Sequence, residues 1–249
     1  MELYKKLITD IKNAGIKKGM TIIVHSSFKS LQTPGLTPEL LIKGFQEVLG
    51  IEGNLIIPTL TYKTVNKDNP FFNIKTTPSC VGIVSEIFRN MENVYRSLNP
   101  IHSVAVWGKN AIKLVEKDSL DNITLGKNSP FNKMRLFDAK ICMLGCGLKP
   151  NTFMHLIENH NKLPYRKTVC TVDFKLIDYN DNEIIKSYDL PNMQDYDQRY
   201  DRVSNILKEP DLYTTKIGEA ITYIIDANKL FEEASKVLTI NPYYFVDKI

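Results

Sequence analysis

Thr152, His155 and Glu158 follow one another at intervals of three residues. At about 100° per residue in a helix, each step of three turns back by roughly 60°, so all three share one side. Side chains at i,i+3 are close enough to interact, which lets Glu158 orient the imidazole of His155. An imidazole held in this way is a proton acceptor, and a neighbouring hydroxyl adds a hydrogen-bond donor. The set suits deprotonation of an amine. The start of a helix, with its positive dipole end, is a fitting place for such a base. On spacing alone the signal is weak, because HxxE occurs by chance, and a solvent-facing histidine behind a polar cap is the better account of the segment.

Other clusters carry weaker signals. Arg96-Ser97-Leu98-Asn99-Pro100-Ile101-His102-Ser103 gathers polar groups just before an apolar run, although Asn99-Pro100 also reads as an ordinary turn. His25-Ser26-Ser27 ends another apolar run, where hydroxyls and backbone N–H groups can hold a pantetheine or pyrophosphate. Cys146 lies between two glycines near His155, so a covalent route through a cysteine–histidine pair stays open. Cys142, Cys146, His155 and His160 supply zinc-type ligands, but their spacing fits no common zinc pattern.

The elements that must position these groups follow from periodicity and punctuation. A helix is expected over 2–14, ending at Gly15. A buried strand is expected over 20–24, and a helix with Thr37 as cap and Pro38 at its first position over 38–49. Further strands are expected at 54–58, 103–107 and Lys140–Leu144, the last running into Gly145-Cys146-Gly147. Residues 63–78 read as a long polar loop, and 81–91 as a helix. Ser129-Pro130 opens a short helix, and Asn151 caps one from Thr152 onward. A hairpin is expected from Thr168–Ile177 and 183–188, turning at 180–182. It is followed by a charged helix near 197–208, a strand near 221–225 and a last helix ending before Pro242. Strands and helices mix without strict βαβ alternation. The expected class is therefore α/β (α+β): a mixed, largely antiparallel central sheet flanked by helices, with a smaller antiparallel hairpin subdomain.

The chain has 249 residues, 43% hydrophobic and 24% charged, the composition of a globular protein. Four cysteines are too few for a disulfide scaffold. No secretory segment or membrane-length apolar run is present, so the expected location is cytoplasmic, with no membrane partner. A net charge of +4 is spread without a dense basic cluster, which argues against nucleic acid and suits an anionic small molecule. There is no GxGxxG and no Walker-type glycine loop.

The segments HSSFKSL (25–31), GNLIIPT (53–59), TPSCVGIVSEIFR (77–89), RSLNPIHSVAVWG (96–108), GKNSPFNKM (126–134), LGCGLKPNTFMHLIENHNKLPYR (144–166) and KIGEAITYIIDANKL (216–230) resemble, in order and approximate spacing, the aminoglycoside 3-N-acetyltransferase family. The resemblance covers nearly the whole chain and implies one domain over 1–249. It implies Thr152, His155 and Glu158 as the catalytic group and acetyl-CoA as co-substrate, with no metal. It also implies a coenzyme A site lined by His25, Ser26, Ser27, Phe28, Lys29 and Ser30 and by Arg96, Ser97, Asn99 and Ser103. Tyr62 and His102 are expected to meet the acceptor. One position departs from the family pattern: its antibiotic-modifying members usually carry His before the Pro of RSxHPxxS, where this chain has Asn99, with His102 nearby instead.

The expected reaction is direct acetyl transfer to an amino group of a sugar. His155 serves as general base, and Thr152, Ser103 or a backbone N–H stabilises the oxyanion or protonates the thiolate. The basic net charge and Asn99 lean the expected acceptor towards a nucleotide-linked amino sugar of surface-polysaccharide synthesis. The alternatives are an aminoglycoside, with antibiotic resistance as the outcome, and a catalytically silent coenzyme A-binding module. The acidic run 195–201 offers a polycation site or an exposed helix start. Oligomeric state is not legible.

Overall fold

The short runs of β-branched residues that punctuate the chain form the centre of the computed structural model, which describes residues 2–191 and 195–249. The strands are β1 Thr21–Ser26, β2 Asn54–Pro58, β3 Phe71–Asn73, β4 Val94–Arg96, β5 Val104–Gly108 and β6 Lys140–Leu144. They continue with β7 Thr168–Ile177, β8 Glu183–Pro191, β9 Tyr196–Gln198, β10 Leu212–Ile217, β11 Ala220–Asp226 and β12 Val246–Lys248. The helices are α1 Glu2–Asn13, α2 Pro38–Leu49, α3 Ile83–Phe88, α4 Ala111–Val115, α5 Pro130–Lys133, α6 Phe153–His160, α7 Val203–Ile206 and α8 Ala227–Ile240.

The main sheet has seven strands in the order β10-β11-β6-β1-β2-β5-β4. Only β1–β2 and β1–β6 pair in parallel; β2–β5, β4–β5, β6–β11 and β10–β11 are antiparallel. The mixed, largely antiparallel sheet is therefore as expected. A smaller sheet holds the β7–β8 hairpin, with β3 added in parallel to β7. The expected hairpin is present, and β8 runs to Pro191 rather than stopping at residue 188.

Both faces of the main sheet are covered, which is why its central strands read as continuous apolar runs. Alternate residues go to opposite sides: Ile22 and Val24 face α1, α2 and α3, while Ile23 faces α6 and α8. The side occupied by α6 and α8 also receives Ile56, Val104, Val106, Ile141 and Met143. A third cluster, around Phe72, Phe174, Leu176 and Tyr188, fills the small sheet.

Three expectations change. Residues 63–78 contain β3, because Phe72 is fully buried under the hairpin and its strand pairs with Lys175–Ile177 of β7. The helix expected over 81–91 is confined to α3 and starts after Gly82, whose φ of 117° leaves the region open to other residues. The charged helix near 197–208 is β9, a 3-10 turn over Tyr200–Arg202 and the single turn of α7. There, charges that would pair along a helix pair across to β12 instead. Arg199 and Arg202 each reach Asp247 at 2.5 Å, and the buried Tyr200 turns inward. Among the described residues, no helix is long and apolar enough to cross a membrane.

Candidate active site

The parallel trio β2–β1–β6 delivers its strand ends to one edge of the sheet, and α6 starts there after a turn at Gly145–Gly147. Gly145 needs to be glycine: its φ is 66°, and a Cβ there would collide with Ser30 Oγ. The Ser30 hydroxyl lies 2.6 Å from Ser27 O and 2.9 Å from Gly145 O, and Ser27 N donates to Leu144 O. Two loops are thus stitched together beneath a cavity of about 940 Å³.

Thr152 and His155 line this cavity. The cap is as expected in kind: Asn151 Oδ1 accepts from Phe153 N at 3.2 Å, and Thr152 sits at the entry to α6 with no capping bond from its side chain. His155 keeps 16% of its side chain exposed, whereas Glu158, one turn on, is fully enclosed. His155 Nδ1 is 2.8 Å from Glu158 Oε2.

Three side chains that sequence spacing did not reveal complete this cluster. Arg166 Nη1 donates to Glu158 Oε2 at 2.8 Å, while the hydroxyls of Tyr165 and Tyr200 donate to Oε1 at 3.0 and 2.8 Å. Burial alone would raise the Glu158 carboxyl, but the bonds from His155 and Tyr200 and the charge of Arg166 hold it below its usual range. An ionised carboxylate can only accept, so a proton on His155 Nδ1 satisfies Glu158 and leaves the lone pair on Nε2. Arg166 and Tyr200 also approach Nδ1, at 2.9 and 3.0 Å, closing that side of the ring. Tyr200 lies 42 positions from Glu158, a distance over which spacing holds no signal.

The remaining candidates divide by position. His25, Ser26, Tyr62 and His102 line the cavity beside His155. His25 is pushed down to about 4 by burial, so its ring is uncharged, and its Nε2 is enclosed without a partner. The rings of His102 and His155 stand 5.7 Å apart, centroid to centroid. Ser27, Phe28, Lys29 and Ser30 form the loop behind the wall rather than the wall itself.

Arg96, Ser97, Asn99 and Ser103, expected along the coenzyme, are not brought to the cavity and are at most 1% exposed. Arg96 is spent on Thr59, Ser103, Ile74 and Thr77, and Ser103 Oγ donates to Thr59 O at 2.8 Å. With its hydroxyl committed, Ser103 is not placed to serve an oxyanion.

Cys146 also faces the cavity, but its Sγ contacts the His25 carbonyl at 3.5 Å rather than a base. Burial pushes its thiol up to about 12, which leaves little thiolate for a covalent route. Cys142 packs in the core on the other face of the sheet, and His160 stacks on Phe231, so the zinc-type residues are not assembled.

Comparison with known proteins bears on the whole chain. Residues 23–239 match the family model described as aminoglycoside 3-N-acetyltransferase. The chain is 32% identical over 185 residues to aminoglycoside N(3)-acetyltransferase IV of Salmonella sp, covering 72% of this chain and 69% of that protein. It is 28% identical over 186 residues to the prophage-derived aminoglycoside N(3')-acetyltransferase-like protein YokD of Bacillus subtilis, covering 66% and 67%. Among solved structures, a mutant of aminoglycoside acetyltransferase AAC(3)-IVa in complex with a gentamicin superposes with a TM-score of 0.82 at 26% identity, over 97% of this chain and 90% of that one. These names do not support the preferred nucleotide-linked acceptor, and the aminoglycoside alternative fits them better. With a family model spanning most of its length and a relative above 30% identity, this chain is an N-acetyltransferase that belongs to the aminoglycoside 3-N-acetyltransferase family.

Proposed function

We propose that this enzyme transfers the acetyl group of acetyl-CoA directly to an amino group of an aminoglycoside, with His155 as general base. The observation that carries this reading is the fixed imidazole: Nδ1 is anchored on the enclosed Glu158 carboxylate, and the ring opens on a 940 Å³ cavity. His155 Nε2 takes a proton from the acceptor as the nitrogen adds to the thioester carbonyl, and Glu158 stabilises the imidazolium that results. The tetrahedral intermediate collapses, the C–S bond breaks, and its electron pair leaves on the coenzyme sulfur. The Thr152 hydroxyl, on the cavity wall and free of a capping bond, assists that departing sulfur. The wall at His25 and Ser26 flanks the pantetheine arm, backed by the loop 27–30.

An aminoglycoside brings several positive charges, yet no carboxylate is among the described residues that line the cavity. Beside the lining residue Gln198 is Asp197, half exposed and held by Lys149, a lining residue, at 2.8 Å. Displacing Lys149 frees Asp197 for an acceptor ammonium, and Tyr62, 47% exposed, offers a flat surface to the sugar rings.

The test is thiol release from acetyl-CoA in the presence of gentamicin, apramycin and a panel of nucleotide-linked amino sugars. Turnover with the aminoglycosides alone is expected. Turnover confined to the nucleotide-linked sugars overturns the acceptor assignment, and coenzyme binding without turnover on any amine returns the silent binding module.

A further inference from the structure

We propose that His102 is a second catalytic residue, whose Nε2–H donates to the oxyanion that forms when the amine adds to the thioester. The proposal rests on the transfer reaction described above and assigns the group that takes up its negative charge.

His102 lies on the cavity wall facing His155, with ring centroids 5.7 Å apart, so one tetrahedral centre can touch both rings. Its Nδ1 is 2.9 Å from Thr124 Oγ1. Among the described residues the Thr124 hydroxyl has no other hydrogen-bond partner, so it is available to donate to Nδ1. With the Thr124 proton on Nδ1 the ring proton sits on Nε2, which meets no acceptor among the described residues and is not among the enclosed unpartnered atoms. Burial, with His155 and Arg166 nearby, holds the ring well below its usual range. An uncharged imidazole with a fixed N–H is a hydrogen-bond donor of the kind that stabilises developing negative charge without giving up its proton.

The ring is also preset. The Asn99 side chain accepts from His102 N at 2.8 Å and donates to Thr124 O at 2.8 Å, gripping the backbones of the two residues whose side chains meet. Asp118 Oδ1 braces the same amide at 3.3 Å. Thr152 is kept for the departing sulfur, and several other donors are spent or enclosed. Ser103 is committed to Thr59, Arg166 and Tyr200 are committed to Glu158, and Asn151 Nδ2 is enclosed.

In the step itself the nitrogen lone pair forms the new N–C bond, and the carbonyl π pair moves onto oxygen, where it meets His102 Nε2–H. On collapse that pair restores C=O, and the C–S bond breaks. The proton taken by His155 passes to the thiolate or to solvent, and His102 neither gains nor loses one.

Two measurements test this. In His102→Ala, kcat is expected to fall roughly 10²–10³-fold with coenzyme affinity little changed, and His102→Gln, which restores an amide donor near the Nε2 position, is expected to recover at least tenfold of that loss. Nitrogen-15 NMR of the folded wild-type enzyme is expected to show His102 protonated on Nε2 and bare on Nδ1. A kcat within threefold of wild type in His102→Ala, a loss confined to KM, or the opposite tautomer overturns the assignment. A His155→Ala control separates the outcomes: if it is inactive while His102→Ala is not, only the oxyanion role fails.

Discussion

Glu158 is the residue on which the site turns, because its enclosed carboxylate takes donors from His155, Arg166, Tyr165 and Tyr200. Removing one member of such a group strands the others. Glu158→Leu is expected to lose about 3–5 kcal/mol of stability in urea unfolding, since it leaves the Arg166 cation without its carboxylate; a loss below 1 kcal/mol would show that the cluster is not a structural unit. Cys146→Ala is expected to keep full transfer activity, and an inactive but folded Cys146→Ala would revive the covalent route. Asp118 offers a pH test. Burial pushes its carboxyl from 3.8 up to about 7. Between those values the unfolded chain gives up the proton and the folded chain keeps it, so stability falls as pH rises, and the effect levels off above about 7. Relative to wild type, Asp118→Asn should therefore gain stability from pH 5 to pH 8, by about 2–3 kcal/mol. Parallel pH profiles of the two proteins would contradict this. Of these residues, His155 and Glu158 were legible because a helix brings i and i+3 together. Tyr200 and Arg166 were not, since only the tertiary fold folds them back onto α6.

At the scale of elements, the strands buried on both faces, β1, β2 and β6, stand out in the sequence as apolar runs. The edge strands β4, β10 and β12 do not, because each buries only one position and their composition resembles loop. β3 was hidden for a related reason, as three residues inside a polar stretch give no period. What joins these elements is Arg96, a buried guanidinium with neutral acceptors from both sides of the boundary. Thr59 and Ser103 border the main sheet, while Ile74 and Thr77 follow β3, and the Phe72 ring lies 4.9 Å away. Burial draws its pKa down to about 9. Arg96→Met is expected to cost about 3 kcal/mol or more in urea unfolding, by leaving those carbonyls without donors. Coenzyme affinity in the folded protein should stay near wild type. A selective loss of coenzyme binding with unchanged stability would instead place Arg96 on the ligand, as the family resemblance implies.

For the whole molecule, net charge favoured a nucleotide-linked acceptor, which the comparisons do not support. The +4 balance suggested an anionic partner, but charge summed over a chain does not describe one rim, and here Asp197 is masked by Lys149. Asp197→Asn is accordingly expected to raise KM for gentamicin several-fold with kcat little changed; an unaltered KM would remove Asp197 from the acceptor site. The fold class and the order of most elements were legible because the sheet and helix periods are strong. The identity of the acceptor was not, since it depends on a few rim side chains drawn from distant segments. The most direct test of the proposed chemistry is the turnover of His155→Ala at saturating acetyl-CoA and gentamicin, with coenzyme affinity measured by calorimetry on the same preparation. A base held on Glu158 predicts a kcat lower by roughly 10²–10⁴-fold with coenzyme affinity preserved. A kcat within a few-fold of wild type would contradict it.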